Sequence, residues 1–142
     1  MLSNLNADIL ARTIYGEARG EFSRVDGGLA ALIAIGNVVI NRVNRKSWFG
    51  GDIREVCQKP KQFSCWNASD SNYTVIQQVT HDDSLFKTCL NVADNVICGA
   101  WPDLTKGADH YYAVSSQNLP YWAENKMPTV KIGQHLFFQL EV

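Results

Sequence analysis

The chain has 142 residues, of which 46% are hydrophobic and 19% charged, and its formal net charge is −1. This length and composition fit one folded domain over 1–142 with its own core, and they exclude a disordered or fibrous chain. The near-zero charge excludes a general attraction to nucleic acid or to an anionic membrane, so binding to a charged polymer must be local. We expect a monomer.

The first predicted helix runs from Asn6 to Tyr15 and brings Glu17 to its end. Asn6 is a favourable N-cap, and apolar side chains recur at three- and four-residue spacing along the segment. A carboxylate at the end of a largely buried helix is partly removed from water, which favours its protonated form. A general acid needs that form, although a solvated glutamate at a helix end has the same local sequence.

The remaining helices are predicted from apolar periodicity and capping residues. The segment 23–46 is apolar nearly all round, as in a central buried helix. Downstream we expect a short helix capped by Asp52 that ends at Cys57, and longer helices over 71–80 and 83–97.

After Pro102 the pattern changes to that of short strands. Aromatic and β-branched residues dominate 110–114, 129–132 and 135–140, and Gly133 separates the last two segments. The expected architecture is therefore α+β, with a helical body and a small antiparallel sheet near the C-terminus.

The cysteines show no metal-binding pattern. Their spacing contains neither a Cys-x-x-Cys pair nor a Cys/His arrangement suited to zinc. An even number permits two disulfides without requiring them, and packing in the core is the simpler role. We expect no metal and no cofactor. The four residues are Cys57, Cys65, Cys89 and Cys98.

Several tryptophans and tyrosines lie in polar loops. Trp66 follows Phe63-Ser64-Cys65, and Trp122 follows Pro120-Tyr121. Aromatic faces beside amides and hydroxyls bind sugars, because the C–H face of the sugar stacks while its hydroxyls form hydrogen bonds. Core packing is the alternative role and explains part of the set.

Six segments, spread over nearly the whole chain, together point to one protein family. They are Ala11–Glu21, Val38–Val43, Val56-Cys57 with Gln62–Trp66, Gly107–Tyr112, Pro120–Trp122 and Ile132–Phe138. In this order they resemble the SleB-type cell-wall hydrolases, a family of spore-cortex lytic enzymes and related bacterial and phage peptidoglycan-degrading proteins.

The resemblance implies a fold similar to lysozyme-like and resuscitation-factor-like domains, with the glycan strand of peptidoglycan as substrate. It also implies that Glu17 is the catalytic glutamate and that groove residues lie in 62–64 and 110–111. With the loop aromatics, the candidate substrate-binding residues are Gln62, Ser64, Trp66, His110, Tyr111 and Trp122.

The chain offers one well-placed carboxylate rather than two. Glycosidases with two carboxylates need the second across the scissile bond. Glu21 follows Gly20, which is expected to turn it away, and Asp26 and Asp109 are more remote. We therefore favour a lytic transglycosylase, in keeping with the resemblance. Glu17 would protonate the glycosidic oxygen and then take the proton of the muramic acid C6 hydroxyl, which gives a 1,6-anhydro end.

Three alternatives remain open. One is a muramidase or glucosaminidase that hydrolyses the strand with a second carboxylate. Another is a wall amidase with Cys65 as nucleophile and His110 or His135 as base. The third is a wall-binding module without catalysis.

No leader or membrane span is visible in the sequence. The N-terminus lacks a basic segment, and the apolar stretch Gly27–Ile40 is too short to cross a bilayer. We expect a protein made in the cytoplasm that does not insert into membranes. By analogy with phage members of the family, it would reach the wall through a membrane lesion made by a partner.

Overall fold

The computed structural model describes residues 2–116 and 118–141, and within them five α-helices precede a three-stranded sheet. The helices are α1 (Leu2–Ala18), α2 (Gly28–Arg45), α3 (Ile53–Gln58), α4 (Ser71–Gln78) and α5 (Ser84–Ile97). The strands are β1 (His110–Ala113), β2 (Val130–Ile132) and β3 (His135–Phe138). Short 3₁₀ turns cover Arg19–Glu21, Ser64–Trp66 and Tyr121–Ala123. The predicted α+β architecture is confirmed.

Helices α1, α2 and α5 form the body of the molecule and pack against one another. Helix α2 is buried without interruption from Ala31 to Val39, as expected for a central helix. Gly36 lets α5 approach α2, since a Cβ there would lie 3.2 Å from Val96 Cγ2. No helix in the described ranges is both long and apolar enough to cross a membrane.

The beginnings of the first two helices were predicted wrongly. Helix α1 begins at Leu2, so Asn6 lies inside it and is not the N-cap. No glycine or proline separates Leu2 from Asn6, and the backbone therefore stays helical. Helix α2 begins only at Gly28, because 22–27 forms turns in which Arg24 pairs with Asp26 at 2.9 Å.

Aspartate caps define the other three helices, because each side chain accepts a hydrogen bond from a backbone N–H in the first turn. The predicted cap at Asp52 is confirmed. The pairs are Asp52 with Glu55, Asp70 with Asn72 and Asp83 with Phe86.

The sheet is antiparallel in the order β1-β3-β2. The central strand β3 buries Phe137 in the core formed with the helices. The next residue, Phe138, points to the other face of the sheet and packs against Tyr112 and Trp122. The turn between β2 and β3 is fixed by Glu21, whose Oε1 accepts a hydrogen bond from Gln134 N at 2.5 Å. Gly133 in this turn has φ +59°, and a Cβ there would collide with the Glu21 carboxylate. The segment after α1 is therefore attached directly to the sheet.

Gly16 brings α1 into direct contact with the Ser64–Trp66 turn. An ideal Cβ at Gly16 would lie 2.6 Å from Cys65 Cβ and 2.9 Å from Ile76 Cγ2. Carbon atoms do not approach so closely without repulsion, so a side chain at this position would displace the helix or the turn.

We expect Gly16→Ala to destabilise the protein by about 1–3 kcal/mol, because over-packing a filled interior forces the backbone to shift. Gly20→Ala is the matched control, since a Cβ there meets nothing within 4 Å. The control is expected to be neutral or slightly stabilising. Urea unfolding measures both. Equal stability of the two variants would contradict the proposed contact.

Candidate active site

A cavity of about 400 Å³ lies where the end of α1, helix α2, the loop before the Ser64–Trp66 turn and strand β1 meet. Glu17 lines it together with five of the predicted substrate-binding residues, which are Gln62, Ser64, His110, Tyr111 and Trp122. The fold thus gathers residues that are up to 105 positions apart in sequence, from Glu17 to Trp122.

Trp66 lies elsewhere. Its indole Nε1 donates a hydrogen bond to Thr13 Oγ1 at 2.8 Å, and its ring packs against the core and lines a separate depression beside α4. The cause is local geometry, since successive side chains of a 3₁₀ turn point in different directions. Ser64 faces the cavity, Cys65 packs on Gly16, and Trp66 reaches α1.

Both carboxylate oxygens of Glu17 accept hydrogen bonds. Tyr111 OH donates to Oε1 at 2.5 Å, and Cys65 N donates to Oε2 at 3.3 Å. Tyr111 belongs to β1 and Cys65 to the Ser64–Trp66 turn, so three separate segments meet at this carboxylate. The two donors fix its orientation toward the cavity.

Tyr111 keeps its hydroxyl proton and donates a hydrogen bond to Glu17. Burial raises its pKa well above the ordinary value, and the negative charge of Glu17 raises it further. Its ring lies between aromatic neighbours, with centroids 5.0 Å from His135 and 5.7 Å from Phe137. Tyr111 therefore stays protonated through the physiological pH range and donates to Glu17.

Arg42 forms a buried wall of the cavity. Its guanidinium lies 4.8 Å and 4.9 Å from the ring centroids of Phe49 and Phe63. Nε donates to the Asp109 carbonyl at 2.8 Å, and Nη1 donates to Gln62 Oε1 at 3.1 Å. Burial lowers the pKa of Arg42, but the guanidinium remains charged. The interaction fixes the Gln62 side chain, and its amide nitrogen makes no hydrogen bond to another described residue.

Asp109 is fully buried and has a structural role. It accepts hydrogen bonds from His110 Nδ1 at 2.8 Å, from Leu140 N at 2.9 Å and from Glu141 N at 2.8 Å. Burial acts to raise the pKa of Asp109, but these hydrogen bonds outweigh burial and hold the pKa below its ordinary value. His110 is thereby oriented, with its ring centroid 4.8 Å from that of Trp122.

The carboxylates considered as partners of Glu17 all have other contacts. Glu21 bonds to the β2–β3 turn, Asp26 is exposed and paired with an arginine, and Asp109 is bonded as described above. Among the residues that the structure describes, Glu17 is the one Asp or Glu that lines this cavity.

Cys65 lacks the properties of a nucleophile. Burial raises the pKa of its thiol far above the ordinary value, and Glu17 raises it further, so the thiol is protonated. Neither histidine acts as a base for this thiol, since His110 bonds to Asp109 and His135 packs on Tyr111.

All four cysteines are free thiols. Over 2–116 and 118–141, no cluster of His, Cys, Asp or Glu is arranged to hold a metal ion.

Four further cavity residues were not predicted as site residues. Trp48 and Tyr121 are aromatic loop residues with exposed fractions of 49% and 86%, and this exposure is not visible in the sequence. Arg42 lies at the polar end of α2, and Lys61 directly precedes Gln62 in the sequence. All four line the cavity that contains Glu17.

Comparison with known proteins identifies the class. Residues 28–138 match the family model described as Cell Wall Hydrolase, and the chain belongs to this family. The matched range begins after α1, so it does not include Glu17. No curated protein sequence matches the chain.

Two solved structures are similar to this one. The catalytic domain of the SleB protein of Bacillus cereus has a TM-score of 0.67 and 23% identity, covering 94% of this chain and 89% of that chain. The catalytic domain of the germination-specific lytic transglycosylase SleB from Bacillus anthracis has a TM-score of 0.67 and 24% identity, covering 94% of this chain and 93% of that chain. The resemblance to SleB-type proteins and the predicted fold are confirmed.

We expect Asp109→Asn to destabilise the protein by about 1–3 kcal/mol at neutral pH, because the amide NH₂ would face N–H donors. The carboxylate stabilises the fold above its ordinary pKa of 3.8, and this contribution disappears as the pH falls through the lower pKa of the folded state.

The difference between wild type and Asp109→Asn should therefore shrink between about pH 6 and about pH 3 when urea unfolding is measured. Asp26→Asn, at an exposed site, is the control and should change stability little at either pH. A difference that does not depend on pH would contradict the role given to the Asp109 charge.

Proposed function

We propose that the protein cleaves the glycan strand of peptidoglycan as a lytic transglycosylase and leaves 1,6-anhydromuramic acid ends. The observation that carries the proposal is the single carboxylate, Glu17, among the described residues of the cavity. Membership of the cell wall hydrolase family supports the substrate. The similar fold of a Bacillus anthracis lytic transglycosylase supports the reaction type.

In the proposed reaction, protonated Glu17 donates its proton to the glycosidic oxygen as the bond from that oxygen to C1 of muramic acid breaks. Tyr111 OH and Cys65 N stabilise the carboxylate that forms, through the hydrogen bonds already in place. The same carboxylate then accepts the proton of the C6 hydroxyl while the C6 oxygen bonds to C1. Glu17 is protonated again, and no water is consumed.

Aromatic and polar groups are arranged to hold the sugars. Trp48 and Tyr121 present exposed faces on the cavity wall, which can stack on the C–H faces of sugar rings. Gln62 is fixed by Arg42 and offers its amide nitrogen, and Ser64 offers a hydroxyl. Stacking combined with a few oriented hydrogen bonds is the usual way to bind a neutral polar ring.

The alternatives have less support. A hydrolase with two carboxylates needs a second one across the scissile bond, and the candidates Glu21, Asp26 and Asp109 have other contacts. A cysteine amidase needs a thiolate, whereas the Cys65 thiol is protonated. A lysis role of the phage type, with passage through a membrane lesion, stays a prediction from the resemblance.

Glu17→Gln should fold normally and lose about a hundred- to ten-thousand-fold of wall-cleaving activity, because an amide cannot donate the proton. Glu21→Gln is the control. It keeps an oxygen to accept the bond from Gln134 N, and its loss should be far smaller. Turbidity of purified walls and thermal melts measure activity and folding. An inactive Glu21 variant beside an active Glu17 variant would mean that the wrong carboxylate is assigned.

The products separate elimination from hydrolysis. When walls are digested in heavy-oxygen water, the new glycan ends should carry no label and should resist borohydride, since a 1,6-anhydro ring has no free reducing end. Mass spectrometry of the released muropeptides makes both measurements. Labelled, reducible muramic acid ends would show a hydrolase. Reducible N-acetylglucosamine ends would show that the other glycosidic bond is cut.

A further inference from the structure

Lys61 combines a position on the cavity wall with an unusual backbone. It lines the same cavity as Glu17, and its φ is +68°, in the left-handed region. Residues with side chains adopt this region at an energetic cost, and such strain is concentrated at functional sites. A lysine gives no local advantage there, unlike glycine or asparagine. Lys46 and Lys106 have the same left-handed backbone outside the cavity, so the position of the Lys61 side chain on the cavity wall is what sets it apart.

The neighbouring cations already have polar contacts, whereas Lys61 makes none with the residues that the structure describes. Arg42 is enclosed by two phenylalanine rings and bonds to Asp109 and Gln62. Lys59 donates to the Trp48 carbonyl. Within the described ranges, Lys61 makes no hydrogen bond or ion pair and is exposed. Its ammonium group is therefore available to an anion that enters the cavity.

The chemistry of the strand identifies that anion, if the proposed function holds. Both sugars at the scissile bond are uncharged, and the negative groups are attached through the lactyl ether of muramic acid. They are the lactyl carboxylate itself where the peptide is absent, and the carboxylates of the stem peptide where it is present. We propose that Lys61 forms an anion subsite that binds a carboxylate borne by this lactyl substituent. Lys61 would thus select charged strands.

The chain provides a matched control for this subsite. Lys106 is also an exposed lysine with a left-handed backbone, φ +58°, but it does not line the cavity. The variants to compare are Lys61→Gln and Lys106→Gln, which remove the same charge from the same backbone conformation. Lys61→Gly is added because glycine tolerates a positive φ and removes the side chain without strain.

Three soluble strands serve as substrates: peptide-bearing strands, peptide-free strands, and peptide-bearing strands whose carboxylates are converted to methylamides. We expect Lys61→Gln and Lys61→Gly to raise KM about two- to five-fold on a carboxylate-bearing strand, with kcat unchanged. On the methylamide strand both should equal wild type. An effect on peptide-free strands alone identifies the lactyl carboxylate, and an effect on peptide-bearing strands alone identifies the stem peptide. Lys106→Gln should match wild type throughout.

Stability separates binding from folding. The melting temperature of Lys61→Gly should equal or exceed that of wild type. The proposal would be overturned if KM were unchanged, or if KM rose equally on methylamide strands. A fall in kcat alone would also overturn it, because that result would indicate an effect on Glu17.

A wild type that cleaves none of the strands would overturn the proposed function but not yet the subsite. The subsite is then tested by measuring how the same strands bind to the Glu17→Gln variant and to the double variant that also carries Lys61→Gln. Weaker binding of charged strands alone supports the subsite, and equal binding overturns it.

Discussion

The close contact between α1 and the Ser64–Trp66 turn determines where the Glu17 carboxylate lies. Because Gly16 has no side chain, Cys65 packs directly on the helix. The next helical residue, Glu17, therefore comes within hydrogen-bond distance of Cys65 N, while Tyr111 reaches it from the sheet. In the proposed mechanism the two donors must be in place before the proton moves, since only preorganised donors stabilise the developing charge without reorganisation.

The sheet that carries Tyr111 is itself held by carboxylates. Glu21 fixes the β2–β3 turn, and Asp109 joins the start of β1 to the backbone that follows β3. Both accept backbone N–H bonds, and Asp109 also orients His110 on the cavity wall. Acidic residues of one type thus have different roles according to their partners. Glu21 and Asp109 bond to backbone donors in and beside the sheet and build the frame. Glu17 accepts hydrogen bonds from Tyr111 OH and Cys65 N but faces an open cavity, and the proposed mechanism uses it for proton transfer.

Local signals explain what the sequence predicts correctly, and tertiary contacts explain the rest. The Asp52 cap and the three strands are encoded within a few residues, and both predictions are confirmed. No residue before Asn6 prevents helix formation, so the predicted start of α1 at Asn6 is too late, and the helix begins at Leu2. Trp66 was grouped with Ser64, but a difference of two positions in a 3₁₀ turn sends its indole to Thr13. The left-handed backbone of Lys61 has no sequence signal, since lysine is not typical of that conformation.

The electrostatics of the cavity follow from this arrangement. Its described charged residues are one carboxylate, Glu17, and two cations, Arg42 and Lys61. Burying Arg42 is costly, and its hydrogen bonds and two aromatic faces offset part of that cost. In the proposed mechanism, negative charge appears on Glu17 as the proton leaves. The buried Arg42 guanidinium, which is fixed in the same cavity, stabilises that charge most when water is displaced, because screening is then weakest. Binding of the strand would therefore strengthen the field that its own cleavage requires.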